Sequence, residues 1–231
     1  MRFYIIRHAD PDYANNTITP AGHAEGRALA AYLQTLGVDE IYSSPLGRAI
    51  DTARYTADLL NQPIRIEPWL QELGELWIED LQMVFWNYNG YLFRSNEILA
   101  DLNHWRNYPP LDNQRVSQNL ERVGRESDVF VERQGFVRQG GCYSVREANR
   151  KKIAVFTHLG LTLTWLSHLL EIPLPLMWSG FYLHPSSVTT VLFDERPQGI
   201  AVPRCLGVGD ISHLHKAGLP PQPAGIVANY Y

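Results

Sequence analysis

Arg7 and His8 stand side by side at the end of the apolar run FYII that opens the chain. An arginine and a histidine at a strand tip are equipped to handle an anion. Two other segments place similar groups in similar positions: Arg48 in SSPLGRA, just past a second apolar run, and His158 at the end of IAVFTH, ahead of Leu159-Gly160. A guanidinium is planar, permanently charged and forms paired hydrogen bonds with phosphate oxygens. Arg7 and Arg48 thus bring roughly two positive charges before either imidazole takes a proton, enough to hold a phosphate dianion. A neutral imidazole in such a pocket is also a nucleophile, and arginines neutralise the oxygens that carry charge while a phosphoryl group transfers. A departing alkoxide needs a proton; Glu72 in WLQELGELW is the first candidate donor and Glu75 the second.

These residues act together only if the fold gathers them. Phe3–Ile6 is short and wholly apolar, as in a strand buried on both faces. Thr19-Pro20 opens a helix with Ala28, Leu29, Tyr32, Leu33 and Leu36 on one stripe, ended by Gly37. DEIYSSP reads as a strand ending near Ser43, with a helix from about Leu46 to Leu60 behind it. PIRIEP reads as a third strand and KKIAVFTH as the strongest, followed by a helix up to Pro173. SSVTTVLFD and IAVPRCLGV are two late strands, the second put on an edge by Pro203.

This alternation predicts an α/β fold: a three-layer sandwich with a mostly parallel central sheet and helices on both faces. Ligands of such sheets bind beyond the carboxyl ends of the strands. Residues 1–231 read as one domain. The aromatic stretch from about 81 to 115, closed by Pro109-Pro110, reads as a helical insertion, and a long helix to about Arg138 follows, with GGCYS as its exit loop. The proline-rich tail from Gly218 is expected to extend over the surface.

Of the 231 residues, 45 % are hydrophobic and 19 % charged, enough apolar material for a sizeable core. The formal net charge of -4 argues against nucleic-acid binding, which requires a basic face, so any anion site is local. Cys142 and Cys205 are too few for a disulfide framework and lack zinc-type spacing, which fits a reduced compartment. The apolar run before Arg7 is too short for a secretory signal, and no run approaches the roughly 20 residues of a membrane span. A cytoplasmic protein without membrane attachment is expected.

Taken in order, the motifs resemble those of the histidine phosphatase superfamily, with its phosphoglycerate mutase-like fold. IIRHADPD is similar to that family's first-strand Arg-His motif, TITPAGHAEGRALAAYL to its Thr-Pro-x-Gly helix, and IYSSPLGRAIDTA to its Ser-Ser-x-x-x-Arg-Ala-x-x-Thr-Ala segment. LQEL resembles the acidic loop and VFTHLG the second histidine. The resemblance implies that His8 becomes phosphorylated, that Arg7, Arg48 and His158 bind the phosphoryl group, and that Glu72 protonates the leaving oxygen and then helps activate water. It implies a metal-independent phosphatase acting on small phosphomonoesters without a cofactor; a homodimer through exposed aromatics is compatible with it. ISHLH resembles a segment that closes the sheet near the pocket, bringing His213 to the site without a catalytic role.

Three departures stand out. Ala9 replaces the family's usual glycine, Leu159 follows the second histidine and narrows the pocket, and ELWIED replaces the common Gly-x-Trp-Glu-Gly ending. The last leaves the proton donor open between Glu72 and Glu75. Leu159 and the bulky insertion predict a preference for small or apolar-bodied phosphomonoesters.

Other readings compete. A mutase of the same fold would return the phosphoryl group to its substrate, but the extended basic segments of such mutases are missing. A metal-dependent hydrolase would use His8, Asp10, Asp12, His213 and His215, against the repulsion of Arg7 and Arg48. A phosphate-binding module without catalysis is the third. Asp10 and Asp12 read as solvated loop acids, and His23, His104 and His168 as structural. Ser43 and Ser44 read as cap and turn residues. Phe85, Trp86, Tyr88, Tyr91, Phe93 and Trp105 read as core or interface, or as a lid over the pocket; His184 has no preferred reading.

Overall fold

Phe3, Tyr4, Ile5 and Ile6 are each at most 3 % exposed, and their alternation sets the architecture. Phe3 and Ile5 enter one core with Ile153, Val155, Phe130 and Trp165, while Tyr4 and Ile6 enter another with Leu29, Leu33, Ala53 and Phe156. A strand apolar on both faces must lie between two helical layers. The computed structural model describes residues 1–74, 76–78, 83–87, 90–95, 101, 104–108, 111–112 and 114–226.

In chain order, β1 (Arg2–Arg7) is followed by a small ribbon, β2 (Pro11–Asp12) with β3 (Thr17–Ile18), and then by α1 (Pro20–Leu36). Thr19 caps α1 by accepting from Gly22 N, Pro20 occupies its first turn, and Gly37 at φ 73° ends it, as the sequence predicts. Next come β4 (Glu40–Ser43), α2 (Gly47–Leu60) and β5 (Ile64–Ile66). The insertion is not simply helical. Among its described residues it holds β7 (Met83–Val84), which pairs with β6 (Trp77–Ile78) just ahead of it, the short helix α3 (Gly90–Arg94) and two 3-10 turns. Phe85, Trp86, Phe93 and Trp105 are buried and join the core, whereas Tyr91 is 75 % exposed; Tyr88 and Pro109-Pro110 lie outside the described residues.

The long helix α4 (Gln114–Glu132) stops short of Arg138 because Gly135, at φ 93°, turns the chain. Instead of more helix and an exit loop, β8 (Phe136–Gln139) and β9 (Cys142–Val145) form a hairpin turned at Gly140-Gly141, so GGCYS is turn and strand. The chain continues through β10 (Lys152–Thr157), α5 (Leu159–Leu170), α6 (Leu174–Gly180), β11 (Val188–Arg196), β12 (Ile200–Asp210) and α7 (Ser212–Lys216).

The eight-stranded sheet has the order β5-β4-β10-β1-β11-β12-β9-β8. Its first four strands are parallel and the remaining pairs antiparallel, so six of eight strands run the same way. β12 pairs with β9 only at Ile200 and Ala201, so Pro203 sits where that side of the strand has become an edge. Helices α1 and α2 cover one face and α4 and α5 the other. No helix among the described residues is long and apolar enough to cross a membrane.

Candidate active site

Strand register brings the chemistry together. Arg7 is in register with Thr157 on β10, and Phe156 with Ser43 on β4. His8, His158 and Ser44, one residue further on, therefore leave three neighbouring strands at one sheet edge. The ladder extends into them: His8 N donates to Thr157 O and Ser44 N to Phe156 O, both at 2.9 Å. Because β11 runs the opposite way, the segment entering it crosses this edge, and Ser186 N donates to His8 O at 3.1 Å.

His8 is 2 % exposed, and its Nδ1 lies 2.8 Å from Ala9 O. A carbonyl only accepts, so Nδ1 carries the proton of the neutral ring and Nε2 keeps its lone pair. Ala9 N donates in turn to Thr52 Oγ1 at 2.9 Å, tying the backbone just after His8 to α2. Burial first, and Arg7 second, hold the His8 imidazole well below its ordinary pKa. It is neutral at neutral pH.

His158 faces His8 with ring centroids 5.1 Å apart, and Ser44 Oγ lies 2.8 Å from its Nε2. Ser44 Oγ also accepts from Leu46 N, and where its hydroxyl proton goes to His158 Nε2 the ring proton sits on Nδ1. Arg7, 2 % exposed, donates through Nη1 to Leu183 O at 2.6 Å and through Nη2 to Ala224 O at 2.8 Å. Arg48 donates to Asn16 Oδ1 at 3.1 Å and lies over the Tyr13 ring, 5.4 Å from its centroid. Arg7 Nε, Arg48 Nε and His158 Nδ1 are all buried without a protein partner. Three unsatisfied donors from residues in mutual electrostatic reach are what an anion site requires.

Glu72 closes the group from another direction. Its Oε1 accepts from Leu73 N at 3.1 Å and Leu161 N at 2.9 Å, and its Oε2 from Gly160 N at 3.1 Å. Gly160 and Leu161 belong to the first turn of α5, whose N-cap His158 makes no side-chain cap bond. Glu72 thus caps that helix from outside and meets the positive end of its dipole. The residue keeps partial exposure, but its carboxyl is enclosed, and burial raises its pKa against the opposing pull of the Gly160, Leu73 and Leu161 amides and of Arg7. Glu75 lies outside the described residues.

The remaining titratable residues sort themselves. His213 is buried, stacked on Tyr32 at 5.8 Å and 3.2 Å from Ser186 Oγ, and is linked to the backbone of His8 through Ser186. Burial drops its pKa to about 4. His184 packs edge-on against Tyr182 at 4.9 Å, beside the tail. Asp10 is not a solvated acid: its Oδ2 accepts from Thr19 Oγ1 at 2.6 Å and its N donates to Glu25 Oε2 at 2.9 Å, fastening the loop after His8 to α1. Asp12 binds Asn15, His23 binds Tyr55, His168 binds Asp128 and His104 pairs with Asp101. Among the described residues, no group of three or more His, Cys, Asp or Glu side chains is placed to hold a metal ion.

Several site residues carry no signal in the sequence. Tyr13 and Asn16 reach Arg48 because the β2–β3 ribbon folds over it. Tyr182, Leu183 and Ala224 meet Arg7 through a ring and two carbonyls. The tail therefore docks on the site rather than only running over the surface: Tyr182 Oη also donates to Ala224 O, at 2.9 Å.

Sequence comparison agrees with this geometry. The profile of the histidine phosphatase superfamily (branch 1) matches residues 3–203, and the chain belongs to that family. A protein of Hydrogenobacter thermophilus named as a phosphoserine phosphatase is 33 % identical over 82 residues, 32 % of this chain and 40 % of that protein. A 2,3-bisphosphoglycerate-dependent phosphoglycerate mutase of Thermoplasma acidophilum is 32 % identical over 80 residues, 30 % of this chain and 40 % of the mutase. The chain thus spans well under half the length of these relatives. In fold it is similar to phosphoserine phosphatase of Entamoeba histolytica, with a TM-score of 0.62 at 20 % identity over 92 % of this chain and 98 % of that one.

Proposed function

We propose that the protein is a phosphatase: a metal-independent phosphomonoester hydrolase that works through a phosphohistidine on His8. The observation that carries this is the unpartnered, buried donor set of Arg7, Arg48 and His158 beside a neutral imidazole whose Nε2 lone pair is free. Nε2 attacks phosphorus, the bond from phosphorus to the ester oxygen breaks, and protonated Glu72 supplies the proton that makes the leaving group an alcohol. The Glu72 carboxylate then takes a proton from water as its oxygen attacks phosphorus; the bond to Nε2 breaks and inorganic phosphate leaves. Arg7, Arg48 and His158 Nδ1 hold the three peripheral oxygens throughout.

The phosphatases among the relatives and fold neighbours support hydrolysis. The mutase relatives favour a second reading, transfer back to an alcohol. Turnover of 4-nitrophenyl phosphate separates the two: a phosphatase releases nitrophenol and inorganic phosphate in equal amounts, and His8→Ala abolishes both. A mutase releases far less phosphate than it transfers to an added acceptor. Catalytic silence in every phosphoester would leave the binding-module reading. The substrate is a small phosphomonoester and the location the cytoplasm, which the two free cysteines support. A homodimer through aromatics of the insertion would use Tyr91, the exposed one among those described.

A further inference from the structure

Beside the phosphate-binding groups lies a cavity of about 390 Å³, within the roughly 300–1,000 Å³ of small-molecule sites. It begins at the phosphate end. Leu159, the residue after His158, lines it, and so does Tyr182, whose ring centroid is 5.7 Å from the Arg7 guanidinium carbon. Gly225 also lines it, and a methyl group built on Gly225 would lie 3.4 Å from Arg7 Nη2 and 3.9 Å from Leu159 Cδ2. Its buried walls are apolar or aromatic, with Trp86, Leu163 and Trp178 each at most 8 % exposed, and Asn87 and Ser179 are its polar members. Gly160 is required here, because a methyl group at that position would fall 2.6 Å from the Trp86 ring.

Two features define what such a space would accept. None of its described lining residues is charged, and Arg94 near the rim donates to Ser179 O at 3.3 Å. A carboxylate or second phosphate would find no counter-charge among the described lining residues themselves. Two polar atoms of the lining residues are nevertheless buried without partners, Trp178 Nε1 and Ser179 Oγ. An indole N–H can only donate, so it asks for an acceptor, and the uncharged described lining favours a neutral one.

We propose that this cavity holds the alcohol side of the substrate and selects phosphomonoesters whose organic part is uncharged, apolar or aromatic, and carries a neutral hydrogen-bond acceptor for Trp178. The inference rests on the phosphatase reading of the same site. It makes Leu159, Trp86 and Trp178 specificity-determining residues and places a second anion at a disadvantage.

The test is a substrate series on the purified full chain, with acetyl phosphate as a probe that barely enters the cavity. Expected is kcat/KM for 1-naphthyl and phenyl phosphate at least tenfold above that for 3-phosphoglycerate and phosphoserine. Trp178→Phe should lower kcat/KM about tenfold for 4-acetylphenyl phosphate relative to phenyl phosphate, since it removes the N–H and keeps a ring. Phe181→Arg, at a lining position that is 40 % exposed, should narrow the gap to 3-phosphoglycerate. Equal or better turnover of the carboxylate-bearing substrates, 3-phosphoglycerate and phosphoserine, by the unmodified protein, with acetyl phosphate still hydrolysed, would overturn the cavity assignment and leave hydrolysis standing. Failure on every ester and on acetyl phosphate would remove the phosphatase reading itself, and this inference with it.

Discussion

His8 and His158 present opposite nitrogens across a ring separation of 5.1 Å: His8 has its Nδ1 on Ala9 O, and His158 has its Nε2 on Ser44 Oγ. One ring is left with a lone pair and the other with an N–H. Burial is the first cause that holds both below their ordinary pKa, and Arg7 and Arg48 add to it in each case. The positive charge of the site therefore comes from the two guanidinium groups, and in the proposed reaction the hydrogen bond each histidine makes on its far side makes one the nucleophile and the other a donor.

Ser44 is then a positioning residue. Ser44→Ala removes the partner of His158 Nε2 and frees the ring to shift its proton away from Nδ1. The expected result is a kcat lower by about tenfold, the scale of one hydrogen bond in the transition state. Unchanged thermal stability would accompany it, and Ser44→Thr should recover part of the loss. An unaltered kcat in Ser44→Ala would separate Ser44 from the chemistry.

Glu72 caps a helix and, in the proposed reaction, donates a proton, and leaving groups tell the two tasks apart. Glu72→Gln should cut kcat by roughly 10²–10⁴-fold on alkyl phosphates, whose alkoxides need a proton, and far less on 2,4-dinitrophenyl phosphate. The same loss on both esters would mean that only the cap has been lost. In the unmodified protein, activity should persist below the usual histidine range, because His8 stays neutral there. It should fall on the alkaline side as Glu72, its pKa raised by burial, loses its proton.

Much of this site was legible before the fold was known. Arg7, His8 and His158 sit at the ends of apolar runs, and period and punctuation alone place them at one sheet edge. Ser44 as the partner of His158 was not legible, since it depends on the register between β4 and β10. The contacts of Arg7 with Leu183 and Ala224 use backbone carbonyls, which any residue supplies. The β8–β9 hairpin reads as helix and loop in the sequence because Gly135 and Gly140, with φ of 93° and 60°, redirect a chain whose apolar spacing suits either element.

Glu25 makes a separate prediction about stability. It is 2 % exposed, accepts from Asp10 N, and has an Oε1 without a partner; burial pushes its pKa up to about 7. A folded state that keeps a proton the unfolded chain releases near 4.5 is fully favoured below that pH and loses stability as pH rises toward 7. The loss amounts to roughly 3 kcal/mol at most. Glu25→Gln should therefore flatten the pH dependence of urea unfolding between those values and leave the variant more stable than the parent at pH 8. Parallel curves for the two proteins would show that Glu25 does not titrate with folding.

The phosphoenzyme offers the most direct measurement. Mixing the protein with a ³²P-labelled phosphomonoester and quenching in alkali should trap up to one label per chain, stable to base and labile to acid, on the peptide that contains His8. His8→Ala should trap none. A label that resists acid, maps to another peptide or survives in His8→Ala would contradict the account.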